Sequence, residues 1–149
     1  MNGIIFIGLQ GSGKSSFYVE QFYHTHMRLN QDMLKTRHRE ILLFHACLSA
    51  KQPLVLDNTN PTREGRARYI RELKAHRFEV IGYYFNSILE DCLARNARRS
   101  GHADIPEVGI KATYAQLERP HYSEGFDKLY YVTLEQQHFS VKEWSDDLP

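Results

Sequence analysis

Residues 4–17 read IIFIGLQGSGKSSF: an apolar run, a glycine-rich turn, then a lysine and serines. Glycines after a strand can do no more than turn the chain. Here Gly8, Gly13, Lys14 and Ser15 satisfy G-x-x-x-x-G-K-[ST] between a strand pattern and a helix pattern, the context that motif requires. Polyphosphate is a crowded anion, held best by several inward-pointing backbone N–H groups with a helix N-terminus behind them. Glycines let that backbone come close. The turn therefore supplies the nucleotide-binding candidates Gly8, Gln10, Gly11, Ser12, Gly13, Lys14, Ser15 and Ser16. Lys14 is expected to reach the β and γ phosphates of a nucleoside triphosphate, taken as ATP, and the Ser15 hydroxyl to ligate Mg2+. The motif says that a triphosphate binds, not what it is used for.

Residues 3–7 are almost wholly apolar, as expected of a strand covered on both faces in a parallel sheet. A helix is predicted over 15–24. A weaker strand in THMRLNQDM ends near Asn30, and Leu34, Ile41, Phe44 and Leu48 then recur at helical spacing. PLVLDNTNP reads as a buried strand ending in polar residues, with Pro61 placed for the first turn of a helix that reaches about Arg77. FEVIGYYF is a fourth strand, SILEDCLARNARR a helix, SGHADIP a loop, EVGIKATYAQLE a helix and KLYYVTL a fifth strand. This alternation predicts an α/β fold: a three-layer α/β/α sandwich around a mainly parallel five-stranded sheet, with a helical lid. No element is assigned to the polar closing stretch EQQHFSVKEWSDDLP. With 149 residues, a single domain over 1–149 is expected.

The formal net charge of +1 argues against a large basic surface, so any nucleic-acid contact should be local. Cys47 and Cys92 lie in apolar, helix-like stretches without C-x-x-C spacing, which favours buried reduced thiols and a cytoplasmic location. No leader pattern precedes the first strand, and no apolar run approaches the roughly 20 residues needed to cross a bilayer, so no membrane partner is expected. The histidines, His24 and His26 included, have no partners at metal spacing, and no zinc is expected.

Three further signals stand beside the turn. LVLDN delivers Asp57 to the carboxyl end of the sheet, where it either caps the next helix or acts as a Mg2+-organising acid; the phosphate loop favours the acid. Asp32 in NQDML could, like Asn30, merely cap a helix, but a phosphotransfer to a hydroxyl needs a carboxylate to orient or accept its proton. On the helix presenting Ile88, Leu89, Cys92 and Leu93 to the core, Arg95 and Arg99 sit four apart along the edge of that apolar face, with Arg98 further toward solvent. They are either a solvated basic helix end or groups that close over transferred phosphate. Arg63, Arg66, Arg68 and Arg71 make the helix after Pro61 arginine-rich, by default a solvated face. Its N-terminal half would otherwise give a cleft a local positive field. Tyr69, Tyr83 and Tyr84 could stack bases, although core packing is the commoner role.

GLQGSGKSSF, NQDML, DNTNPTREGRARYI, ARNARRSGHADIP and PHYSEGF together resemble the kinase domain of polynucleotide 5′-hydroxyl kinases, from about residue 4 to 126. The resemblance implies a P-loop kinase fold and makes Lys14 and Ser15 the phosphate and metal contacts, and Asp32 the general base. Asp57 becomes an acceptor-side or metal-side acid, Thr59 and Arg68 acceptor contacts, and Arg95 with Arg99 lid arginines. Helical spacing alone instead puts Arg68 nearly opposite Ile70 and Leu73, on solvated surface. The family often has Asn-Arg-Asp where this chain has Asn30, Gln31 and Asp32; Lys35 is a candidate to replace the arginine. A D-x-D-x-[TV] phosphatase motif is absent, so the resemblance is to the kinase unit alone. The expected partners are ATP and a 5′-hydroxyl end of DNA or RNA. A small hydroxyl compound such as a nucleoside, sugar or antibiotic is the alternative acceptor, favoured by Gln31 and the modest charge. A nucleotide-dependent switch without an acceptor is the rival class. Neither the N-K-x-D guanine-reading string nor the L-S-G-G-Q signature of transporter ATPases occurs.

Overall fold

The computed structural model describes residues 1–98 and 106–149. The strands are β1 (Asn2–Ile7), β2 (Met27–Leu29), β3 (Leu54–Leu56), β4 (Glu79–Phe85), β5 (Lys128–Glu135) and β6 (His138–Glu143). The helices are α1 (Lys14–Gln21), α2 (Gln31–Leu34), α3 (Arg37–Ala50), α4 (Arg63–Ala75), α5 (Leu89–Ala97) and α6 (Glu107–Gln116). The sheet runs β2-β3-β1-β4-β5-β6, with β1 to β5 parallel and β6 antiparallel to β5.

Period-two alternation in β1 explains why it reads as continuously apolar. Ile4 and Phe6 pack with Phe17 and Tyr18 of α1, while Ile5 and Ile7 pack on the other face with Phe44 and Leu48 of α3 and Ile70 and Leu73 of α4. The three-layer α/β/α sandwich follows directly. A smaller cluster of Leu9, Cys92 and Ile110 joins α5 and α6 to the start of the phosphate loop. Both cysteines are buried, and neither is in a disulfide. Among the described residues no helix is long and apolar enough to cross a membrane.

Three expectations change. The unassigned tail forms β6, just beyond which Trp144 is buried against Tyr84 of β4 and Tyr131 of β5. Its burial alternation is nearly absent, and the β5–β6 turn uses Gln136 and Gln137 at φ 49° and 67° instead of the usual Asn or Gly, so neither sequence signal was present. Ile88 is 50% exposed because it precedes α5 as its N-cap instead of joining its inner face. Arg66 is 0% exposed and not part of a solvated face. It lies on α4 four residues before Ile70 and seven before Leu73, both buried, so the helix directs it inward. The tyrosines take the commoner of the two roles open to them: Tyr69 and Tyr84 are core residues, and Tyr83 stacks on Tyr130 at 5.1 Å.

Candidate active site

β1 ends at the centre of the sheet between β3 and β4, so successive connections leave it on opposite sides. The crevice at the carboxyl ends of strands at such a switch point is where open α/β sheets bind ligands. The turn that follows needs its glycines. Gly11 has φ 81°, and a Cβ there would lie 2.5 Å from the Cys92 carbonyl oxygen; Gly13, at φ 99°, is the N-cap of α1. The buried side-chain oxygens without a hydrogen-bond partner among the described residues are Gln10 Oε1, Ser12 Oγ and Asp57 Oδ1. All three surround this turn, where a polar ligand would satisfy them. Ser16 is exposed in the first turn of α1.

Lys14 curls back over the loop, its Nζ donating to the carbonyls of Gly8 at 3.0 Å and Leu9 at 2.6 Å. Ser15 Oγ donates to Asp57 Oδ2 at 2.9 Å, which brings the two predicted metal residues together from α1 and the end of β3. Asp57 is 1% exposed. A divalent cation fits this corner: the Ser15 hydroxyl and the unpartnered Asp57 Oδ1 are hard oxygen donors. The sequence did not single out Arg28, on edge strand β2. Its Nε donates to Asp57 Oδ2 at 2.7 Å and its Nη2 to Ser15 Oγ at 3.0 Å, supplying the cation a nearly buried carboxylate needs. One arginine in a three-residue strand carries no sequence signal of its own.

On the acceptor side the capping question resolves. Asn30, not Asp32, caps α2, its Oδ1 accepting from Met33 N at 2.9 Å while its Nδ2 donates to the Asp57 carbonyl at 2.6 Å. Asp32 stays exposed in the first turn and lines a cleft of about 330 Å³ with Lys14, Ser15 and Asp57. Gln31, Asn58 and Thr59 line this cleft and also a second one of about 510 Å³, whose walls include Arg37 and Arg68. Arg68 is half-buried, its guanidinium carbon 5.0 Å from the Tyr69 ring centroid. Periodicity, which put Arg68 on open surface, missed the groove beside it. Lys35 is exposed at the end of α2 with φ 73° and lines neither cleft. Arg37, two residues on, lines the larger one and was not singled out.

The phosphate loop and the loop after β3 are tied together. Gly8 N donates to the Thr59 carbonyl at 3.0 Å, and Asn60 Nδ2 donates to the Phe6 carbonyl at 2.7 Å. Beneath them Arg66 donates from Nη1 to the Asn60 carbonyl at 2.8 Å and pairs with both carboxylate oxygens of Glu124, at 2.9 and 3.1 Å. On the other side Arg95 Nη1 donates to the Gly11 carbonyl at 3.0 Å, so Arg95 stands over the phosphate loop, and Arg98 is exposed. Arg99 and most of SGHADIP, the expected lid, lie outside the described residues.

A family model described as an AAA domain matches residues 35–120, more than half of the chain, so the chain belongs to that family. The matched residues begin after the phosphate loop. A bifunctional polynucleotide phosphatase/kinase from Schizosaccharomyces pombe is 28% identical over 83% of this chain, and the chain spans 31% of that relative's length. Among solved structures, Chaetomium thermophilum Kti12 in complex with ADP-AlF3 superposes with a TM-score of 0.66 at 15% identity, over 88% of each chain. A gluconokinase from Sinorhizobium meliloti gives a TM-score of 0.63 at 18% identity, over 91% of this chain and 83% of that one. The chain has the fold of P-loop kinases.

Proposed function

We propose that this AAA-family chain transfers the γ-phosphoryl group of ATP to a 5′-hydroxyl end of DNA or RNA. The observation that carries the reading is that Asp32 lines one cleft with Lys14 and Ser15, and that this cleft shares Gln31, Asn58 and Thr59 with an arginine-walled groove. The phosphatase/kinase relative supports the choice of acceptor.

The phosphate loop binds the triphosphate through its backbone N–H groups, and Lys14 exchanges its loop carbonyls for phosphate oxygens. Ser15 and Asp57 would hold Mg2+, which when bound neutralises charge on the β and γ phosphates. Asp32 accepts the proton of the acceptor hydroxyl as its oxygen bonds to the γ-phosphorus and ADP leaves. Arg95, with Arg99, takes the negative charge on the phosphoryl group in flight. Arg68 and Arg37 supply a local positive field for a short single-stranded end, consistent with a net charge of only +1. Gln31 favours a second reading, a small uncharged hydroxyl compound as acceptor, because it puts an amide where a phosphate-gripping cation would otherwise face the junction of the clefts.

The test is Asp32→Asn measured against wild type with ATP and a 5′-hydroxyl oligonucleotide. Nucleotide affinity is expected to stay unchanged while transfer falls by about 10²- to 10⁴-fold, the usual worth of a general base. Near-normal transfer by the variant would contradict the assignment. Wild-type protein that binds ATP but leaves the oligonucleotide unlabelled would favour the small acceptor.

A further inference from the structure

Glu40, on α3, is a carboxylate that no motif accounts for. It is 0% exposed, and none of the ion pairs among the described residues includes it. Burying a carboxylate without a cation is costly unless hydrogen bonds replace its water. Its donors are the Tyr69 hydroxyl, Asn58 Nδ2 at 3.0 Å and Gln31 Nε2 at 3.4 Å. All three residues line the arginine-walled groove. Glu40 thus lies directly beneath the acceptor side of the site.

We propose that Glu40 is a positioning residue: it fixes the Asn58 amide, and through it the turn that carries Asp32. The proposal rests on the reading of Asp32 given above. An asparagine amide has one donating and one accepting end. With Nδ2 committed to Glu40, Oδ1 must face the other way, where it accepts from the backbone N–H of Gln31 at 2.9 Å. That N–H opens α2, whose Met33 N–H is taken by Asn30. Asp32 lies between them in sequence. The relay runs from Glu40 through Asn58 to Gln31, and it locks the first turn of α2 to the end of β3. An apolar residue at position 40 would leave the Tyr69 hydroxyl without this acceptor and Asn58 free to turn over.

Glu40→Gln keeps the shape. Because the Tyr69 hydroxyl and Gln31 Nε2 both donate to the Oε1 end, the new carbonyl settles there and the new NH2 meets Asn58 Nδ2, so Asn58 turns over and drops the Gln31 N–H. Glu40→Gln with Asn58→Asp exchanges donor and acceptor, and restores an acceptor for Gln31. Hydrogen exchange reads the relay without any acceptor substrate. In the single variant the Gln31 amide is expected to exchange roughly 10-fold faster, the worth of about one hydrogen bond, while Phe6 and Ile81 in the central sheet keep their wild-type rates. With the oligonucleotide, kcat should fall roughly 10- to 100-fold at unchanged KM for ATP, the scale of a small misplacement of a reacting group. The double variant should recover both. Wild-type Gln31 exchange in the single variant would overturn the proposal, as would acceleration spread evenly over the sheet or a double variant no better than the single one. If wild type labels no oligonucleotide, the functional reading fails, and the exchange rates still decide whether Glu40 holds the turn.

Discussion

Lys14 shows how much one residue can be asked to do at this site. Its ammonium sits on two loop carbonyls, at 2.6 and 3.0 Å, in a buried place that suits phosphate oxygens equally well. Lys14→Ala is expected to lose nucleotide binding and transfer together, which titration of ATP affinity beside the transfer assay would check. Retained affinity would remove Lys14 from phosphate binding. The motif residues were legible because their chemistry is local: Gly8 to Ser15 lie in one turn, and spacing along the chain is spacing in space. Arg28 and Glu40 were not legible, because each takes its meaning from residues distant in sequence. Arg28 meets Asp57 and Ser15, 29 and 13 positions away, and Glu40 meets Tyr69, 29 away. Asp32 was visible as a choice between cap and base; the Asn30 side chain takes the cap, and the base role is the one proposed for Asp32.

At the scale of elements, α4 links the acceptor loop to the segment after α6. Arg66 donates to the Asn60 carbonyl on one side and to the Glu118 carbonyl and Glu124 carboxylate on the other. Arg66→Met should strand Glu124, 9% exposed, with only the longer 3.8 Å pair to half-exposed Arg63, and cost up to about 3 kcal/mol, read as a lower urea midpoint at unchanged slope. Adding Glu124→Gln should recover much of that loss, because it removes the stranded charge and keeps an acceptor for the His121 N–H. Equal midpoints for the single and double variants would show that lost packing, not the unpaired charge, sets the cost. The arginine-rich composition of α4 pointed to a solvated face, which holds for Arg63 and Arg71 and fails for Arg66. The spacing of Arg66, Ile70 and Leu73 carried the inward direction all along.

For the whole molecule, the parallel order of β1 to β5 was readable because buried strands and amphipathic helices alternate. β6 was not, because an edge strand exposed on both faces has no pattern to read. β6 is held by antiparallel pairing with β5, by Phe139 at 5.1 Å from the Phe17 ring, and just beyond it by Trp144, which is 6% exposed, packs at 5.4 Å from the Tyr84 ring, and has the Arg119 guanidinium 4.8 Å from its centroid. It is the one tryptophan in the chain. Because it belongs to the core shared with α3 and α4, its fluorescence should change at the same urea concentration as far-UV circular dichroism. A fluorescence change at lower urea would mean that β6 peels away as a separate unit.

The central claim is that this P-loop carries phosphate to the end of a nucleic acid. The direct measurement is transfer from γ-labelled ATP with Mg2+ to a single-stranded 5′-hydroxyl oligonucleotide, run beside the same oligonucleotide bearing a 5′-phosphate. Label on the hydroxyl form alone is the predicted result. Label on neither form, with ATP bound, would contradict it and move the acceptor to a small molecule; label on both would contradict the 5′-end specificity.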